Sequence, residues 1–112
     1  MPCINIKAHK PKESISAKAL AKEISILSGI DISRVNVIID YYNEIDFFRS
    51  SLDNSPIVFI SISEKNGKDL IQKLARVAAQ LTEKYFSVQE NSVAVFCNSV
   101  GEGYLLVNNN FK

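Results

Sequence analysis

The chain has no tryptophan, one histidine, one methionine, four glycines and three prolines. So little glycine and proline, in a chain rich in apolar residues, excludes a disordered chain. Cys3 and Cys97 form no CxxC pair and are too few for a disulfide framework, which fits a reducing, cytoplasmic compartment. They read as two small, half-buried hydrophobes rather than as redox groups, and with His9 as the lone histidine no metal site is expected. Nor is there an excess of either charge: thirteen Lys and Arg against twelve Asp and Glu leave a formal net charge of +1. That balance excludes nucleic acid or an acidic membrane as a partner held by charge alone. No apolar run approaches the roughly 18 residues of a membrane span. The opening MPCINIKAHK carries charges where an export signal needs apolar residues, so neither export nor membrane insertion is expected.

What is present is ample apolar material. Of 112 residues, 46% are hydrophobic, enough for one packed core in a single domain over 1–112. Ile4, Ile6 and Ala8 alternate with Asn5 and Lys7, the period of a strand with one buried face. The period then lengthens: Ala17, Leu20, Ala21, Ile24 and Leu27 make one helical stripe, with Ser14 or Ser16 as N-cap and Gly29 as stop. This predicts a helix over 15–28. The β-branched segment 35–39 reads as a strand covered on both faces.

The second half repeats that order. Residues 56–62 form an apolar β-rich run, Leu70, Ile71, Leu74, Val77, Ala78, Leu81 and Tyr85 trace a second helical stripe, and 92–97 give a fourth strand. Pro2 and Pro56 open the two copies, about 2–54 and 55–112, of a tandem βαβ repeat. The fold class is therefore α+β, a four-stranded mixed sheet with both helices on one face. The other face, read as apolar, requires a second subunit to cover it, and the short strand 104–107 is placed to pair across a subunit boundary.

Met1-Pro2 followed at once by a strand, a helix and an apolar strand, then a second copy from Pro56, resembles the tautomerase superfamily. The resemblance spans essentially the whole chain, on short and degenerate motifs. Within that superfamily the tandem length and the ending 107–111 resemble the macrophage migration inhibitory factor type, and Arg34-Val35-Asn36-Val37 resembles the D-dopachrome tautomerase type. The resemblance implies a cofactor-free homotrimer in which Met1 is removed and the secondary amine of Pro2 carries a proton. An α-amino group ordinarily titrates near 7.7–8.0, so a base needs burial or nearby cations to lower it.

Carried over by position, the substrate-binding arginines of the shorter 4-oxalocrotonate tautomerases fall on Lys12 and Asn36, and their pocket phenylalanine falls on Phe47. One cation is kept as a point charge and one is lost; Arg49 stands close enough in sequence to replace it. Against the migration-inhibitory-factor type, the pocket lysine falls on Ile30, and a tyrosine and an asparagine fall near Ala94 and Phe96. The implied site is Pro2 as the catalytic group with Lys12, Asn36, Phe47 and Arg49 binding a small anionic oxo acid. The implied reaction is proton transfer beside its carbonyl. The alternative is a non-catalytic trimeric binding or scaffold protein on the same fold.

Each of these readings has a plainer counterpart. Pro2 is equally a small residue that permits Met removal; His9 and the Lys7, Lys10 and Lys12 cluster read as solvated surface, and Asp40, Glu44 and Asp46 read as solvated loop carboxylates rather than a general acid. Gly101-Glu102-Gly103 lacks the helix and lysine of a phosphate loop. Phe47-Phe48 reads as a lid or an interface plug.

Overall fold

The computed structural model describes residues 2–50 and 54–112. The four main strands are β1 (Cys3–His9), β2 (Asn36–Tyr42), β3 (Ile57–Ser63) and β4 (Ala94–Val100), ordered β2-β1-β3-β4. The outer pairs are parallel and the central β1–β3 pair is antiparallel, so the two βαβ units meet through their first strands. Helix α1 (Ala17–Ser28) joins β1 to β2, and α2 (Lys68–Phe86) joins β3 to β4. No helix among the described residues is long and apolar enough to cross a membrane.

Both helices lie on one face because each has one apolar stripe and each parallel crossover must return over the sheet. Ile4, Ile6 and Ala8 of β1 and Val58, Ile60 and Ile62 of β3 all point into a core closed by Leu20, Ile24, Leu74, Val77, Ala78 and Leu81. The α1 stripe begins at Ser16, whose hydroxyl accepts from the N–H of Ala19 at 3.0 Å, so Ser16 rather than Ser14 is the N-cap. It ends at Gly29, whose φ of 79° is open to a residue without Cβ at little cost.

Three expectations are revised. The segment around 35–39 is not covered on both faces: β2 is an edge strand, half-buried by Val37 and Ile39 while Ile38 stands 48% exposed. The open face of the sheet is only half apolar. On the β3–β4 half Phe59 stacks on Phe96 with ring centres 5.3 Å apart, beside Ile57 and Ala94. On the β2–β1 half Asn5, Lys7, Asp40 and Tyr42 form a hydrogen-bonded polar group. Finally, the C-terminal strand pairs within its own chain: β5 (Leu106–Val107) and β6 (Asn110–Phe111) make a two-stranded sheet. The turn between them rests on Asn108 and Asn109, both at positive φ, as a two-residue hairpin loop requires.

Candidate functional site

The register separates the residues singled out in the sequence. β1 and β2 run parallel from the pair Cys3 and Asn36, so Pro2 and Asn36 share one end of the sheet. Pro2 is buried, and its carbonyl accepts both the main-chain N–H and the side-chain amide of Asn36, each at 3.1 Å. The Asn36 side chain thus holds the backbone of Pro2.

Lys12, Phe47 and Arg49 lie at the other end. Seven residues of β1 separate the ends by roughly 20 Å, too far for one chain to gather all five residues around one small molecule. Lys12 lines a cleft of about 580 Å³ between the β1–α1 loop and the C-terminal end of α2, together with Tyr85 and Phe86. Phe47 meets the ring of His9 edge-on at 4.6 Å and lies 6.0 Å from that of Tyr42. His9 is therefore half-buried against an aromatic group, where solvated surface was expected. Phe48 is 89% exposed. Arg49 donates to the carbonyls of Ser55 and Ser92, fastening the segments that lead into β3 and β4. Of the positions carried over from the longer relatives, Ile30 lies in the connection from α1 to β2 and Ala94 at the opposite end of the sheet from Pro2. Ile30 is buried in the core, while Ala94 and Phe96 belong to the open face of β4.

Asp40 lies within β2, not in a loop. The Asn5 amide at 3.1 Å, and secondarily the Lys7 ammonium at 3.2 Å, hold its carboxyl below the ordinary range. The Lys7 ammonium is in turn raised, chiefly by the Tyr42 hydroxyl at 3.1 Å and then by Asp40. Charges so satisfied are structural in character. Glu44 and Asp46 sit exposed in a short 3₁₀ turn. Cys97 faces the groove between β4 and α2, where partial desolvation lifts its thiol.

One cation at the Pro2 end escaped the sequence reading. Arg34 closes a 3₁₀ turn (Ile32–Arg34) just before β2, and its guanidinium donates to Oδ1 of Asn66 at 3.1 Å. Asn66 closes a second 3₁₀ turn (Glu64–Asn66) just after β3. The available signal was the place of Arg34 two residues before Asn36, at the entry to β2.

No family model and no curated protein matches the chain by sequence. Solved structures do match it in shape. A fused 4-OT wild type asymmetric trimer aligns at a TM-score of 0.77 and 8% identity, over 97% of this chain and 94% of that one. A macrophage migration inhibitory factor-like protein from Entamoeba histolytica aligns at 0.72 and 16% identity, over 99% and 98%. Pt0534 inactivated by 2-oxo-3-pentynoate aligns at 0.70 and 15% identity, over 95% and 92%. The chain shares the fold of these structures, two βαβ units in tandem.

Proposed function

We propose that this tautomerase-fold protein catalyses cofactor-free proton transfer beside the carbonyl of a small oxo acid, with Pro2 as proton carrier once Met1 is removed. The observation that carries the reading is the seat of Pro2: buried at the start of a central strand, its carbonyl gripped twice by Asn36. A proline there has a ring-fixed nitrogen whose approach to a substrate is set by the strand. In the reaction the C–H bond next to the carbonyl breaks, the proton passes to the Pro2 amine, and the electron pair moves to the carbonyl oxygen. Return of that proton to a different atom of the enol completes the isomerisation, with no net redox change. An amide nitrogen acylated by Met1 has no basicity, so processing is part of the proposal.

The proposed assembly is a cytoplasmic homotrimer with three pockets at subunit edges. Fused 4-OT proteins of this fold are solved as trimers. An assembly also answers two features of the chain. The stacked Phe59 and Phe96 are left on an open face, and Lys12, Phe47 and Arg49 would reach a Pro2 only if it belonged to another copy.

A second reading, a non-catalytic trimeric binding or scaffold protein, is favoured by one observation: the amide of Asn36 is engaged by the chain's own backbone. Intact-mass measurement of the protein purified from its source cells, followed by turnover of a panel of 2-oxo acids by the wild type and by Pro2→Ala, decides between them. Loss of Met1 with activity that disappears in Pro2→Ala is the expected result. Retention of Met1, or turnover indifferent to the substitution, leaves the scaffold reading.

A further inference from the structure

The formal net charge of +1 is not spread evenly over the layers of the fold. The two helices carry six Lys and Arg against three Asp and Glu, and the rest of the chain carries seven against nine. Two of the three helical carboxylates are used internally. Glu83 is buried and accepts from the N–H of Val93 at 3.3 Å, and Glu23 is half-buried between the Tyr85 hydroxyl and the Lys84 ammonium. Only Asp69 stands exposed. Lys18, Lys22, Lys68, Lys73 and Arg76 are exposed as well, and none of them forms an ion pair among the described residues.

The helical period gathers these cations on the outer face. On α2, Lys68, Gln72, Arg76, Gln80 and Lys84 follow one another at four-residue steps and are all exposed, while Leu74, Val77, Ala78 and Leu81 face the core. On α1 the same step joins Lys18, Lys22 and Ile26. Lys84 reaches across to Glu23 at 3.4 Å, so both lines belong to one two-helix surface. Ile26 is 77% exposed there, and Leu27 and Ile32 around the end of α1 are exposed too. The surface thus combines unpaired cations with an aliphatic corner that the described residues leave uncovered.

We propose that the outer face of α1 and α2 docks on an anionic phospholipid membrane, with Ile26 entering the boundary between headgroups and acyl chains and with Lys22, Lys73 and Arg76 meeting the lipid anions. Charge complementarity supplies the attraction: each cation near an anionic leaflet is drawn to it within a Debye length, and an aliphatic side chain beside them gains by leaving water. The aliphatic corner selects lipid over other polyanions. A nucleic acid backbone offers Ile26 only phosphate and water, and a folded acidic partner needs a pocket for a side chain projecting from a convex helix, whereas lipid closes round it. The near-neutral net charge does not oppose this, because screening confines the interaction to the face presented. The stacked Phe59 and Phe96 lie on the opposite side of the sheet, so this docking leaves the proposed assembly face free, and it does not depend on the chemistry of Pro2.

The test is co-sedimentation of the full chain with vesicles of mixed phosphatidylserine and phosphatidylcholine, and with pure phosphatidylcholine vesicles as the neutral control, at about 0.1 M and about 1 M salt. Expected is binding to the anionic vesicles alone, and at the lower salt alone. Lys73→Glu together with Arg76→Glu should lower the partition coefficient by about tenfold or more. Lys10→Glu together with Lys112→Glu makes the same change of net charge at exposed positions away from the helices, and should change it by less than about twofold. Ile26→Ser should lower it several-fold, with the far-ultraviolet circular dichroism of every variant preserved. Absence of binding to anionic vesicles, equal binding to neutral ones, or equal losses in the two charge-reversed pairs overturns the proposal. So does Ile26→Ser binding as the wild type does; double-stranded DNA held at similar strength by both then marks the face as a general polyanion surface.

Discussion

Asn36 donates twice to the carbonyl of Pro2, through its main-chain N–H and through its side-chain amide, each at 3.1 Å. The first bond is the parallel ladder; the second exists only because this residue is asparagine. Asn36→Ala removes it and leaves the main-chain bond in place. The expected cost is about 1 kcal/mol, read as a lower urea midpoint with an unchanged slope. In the proposed reaction the same variant lowers kcat more than it raises KM, because it loosens the proton carrier rather than a substrate contact.

The polar half of the open face makes stability depend on acid. Asp40 is held below its ordinary value by Asn5 and Lys7, so the folded state favours its ionised form. That contribution is present above the unfolded-state value of about 3.9 and is lost as pH falls through the lower, folded-state value. The expected outcome is a stability that declines from about pH 5 downward, and a shallower decline in Asp40→Asn, measured by urea unfolding across the acid range. Lys7 has the opposite sign: its raised value contributes stability below the ordinary lysine range that is lost at strongly alkaline pH.

Ile60 is fully buried in the middle of β3, paired with Ile4 of β1 on one side and Cys97 of β4 on the other. Ile60→Ala should destabilise by about 2–5 kcal/mol and Ile60→Val by about 0.5–1.5 kcal/mol, since one leaves a cavity of several methyl groups and the other of one. Thermal or denaturant unfolding of both variants checks the ratio.

Gly29 ends α1 at φ 79°, with open space where a Cβ would stand. The cost of Gly29→Ala is therefore conformational rather than steric, about 1 kcal/mol, whereas Gly29→Asn should cost clearly less. Equal losses in the two variants would contradict this account.

The Phe59 and Phe96 rings stack on the open face, and Phe96 stays 55% exposed in the single chain. If subunits cover this face, light scattering should give three times the mass of one chain, and Phe96→Lys should lower it while far-ultraviolet circular dichroism is preserved. A wild-type monomer at micromolar concentration would remove the trimer.

Much of the fold was legible because local periodicity is a local property. The alternation at Ile4, Ile6 and Ala8 and the stripe from Ala17 to Leu27 specify burial within a few residues of themselves. The position of β2 was not legible, since an edge strand and a central one differ in their neighbours and not in their own composition. Val35, Val37 and Ile39 pack against the core whether or not another strand follows. The polar half of the open face was hidden for a similar reason. Lys7 and Asp40 look like solvated charges until the β1–β2 register places them side by side. Arg34 was the largest omission: its meaning depends on Asn66, 32 residues later in the chain and on the far side of β1.

The central antiparallel pairing makes the two halves near mirror partners, with Pro56 opening β3 as Pro2 opens β1, and Ala94 standing where Asn36 stands. Yet Pro56 follows Ser55, so its nitrogen is joined into an amide and can never accept a proton. The Pro56 end therefore has no free amine. In this chain that end holds a buckle, Arg49 gripping the carbonyls of Ser55 and Ser92. The two halves thus differ at their ends: one seats Pro2 against Asn36, and the other fastens Ser55 and Ser92 through Arg49.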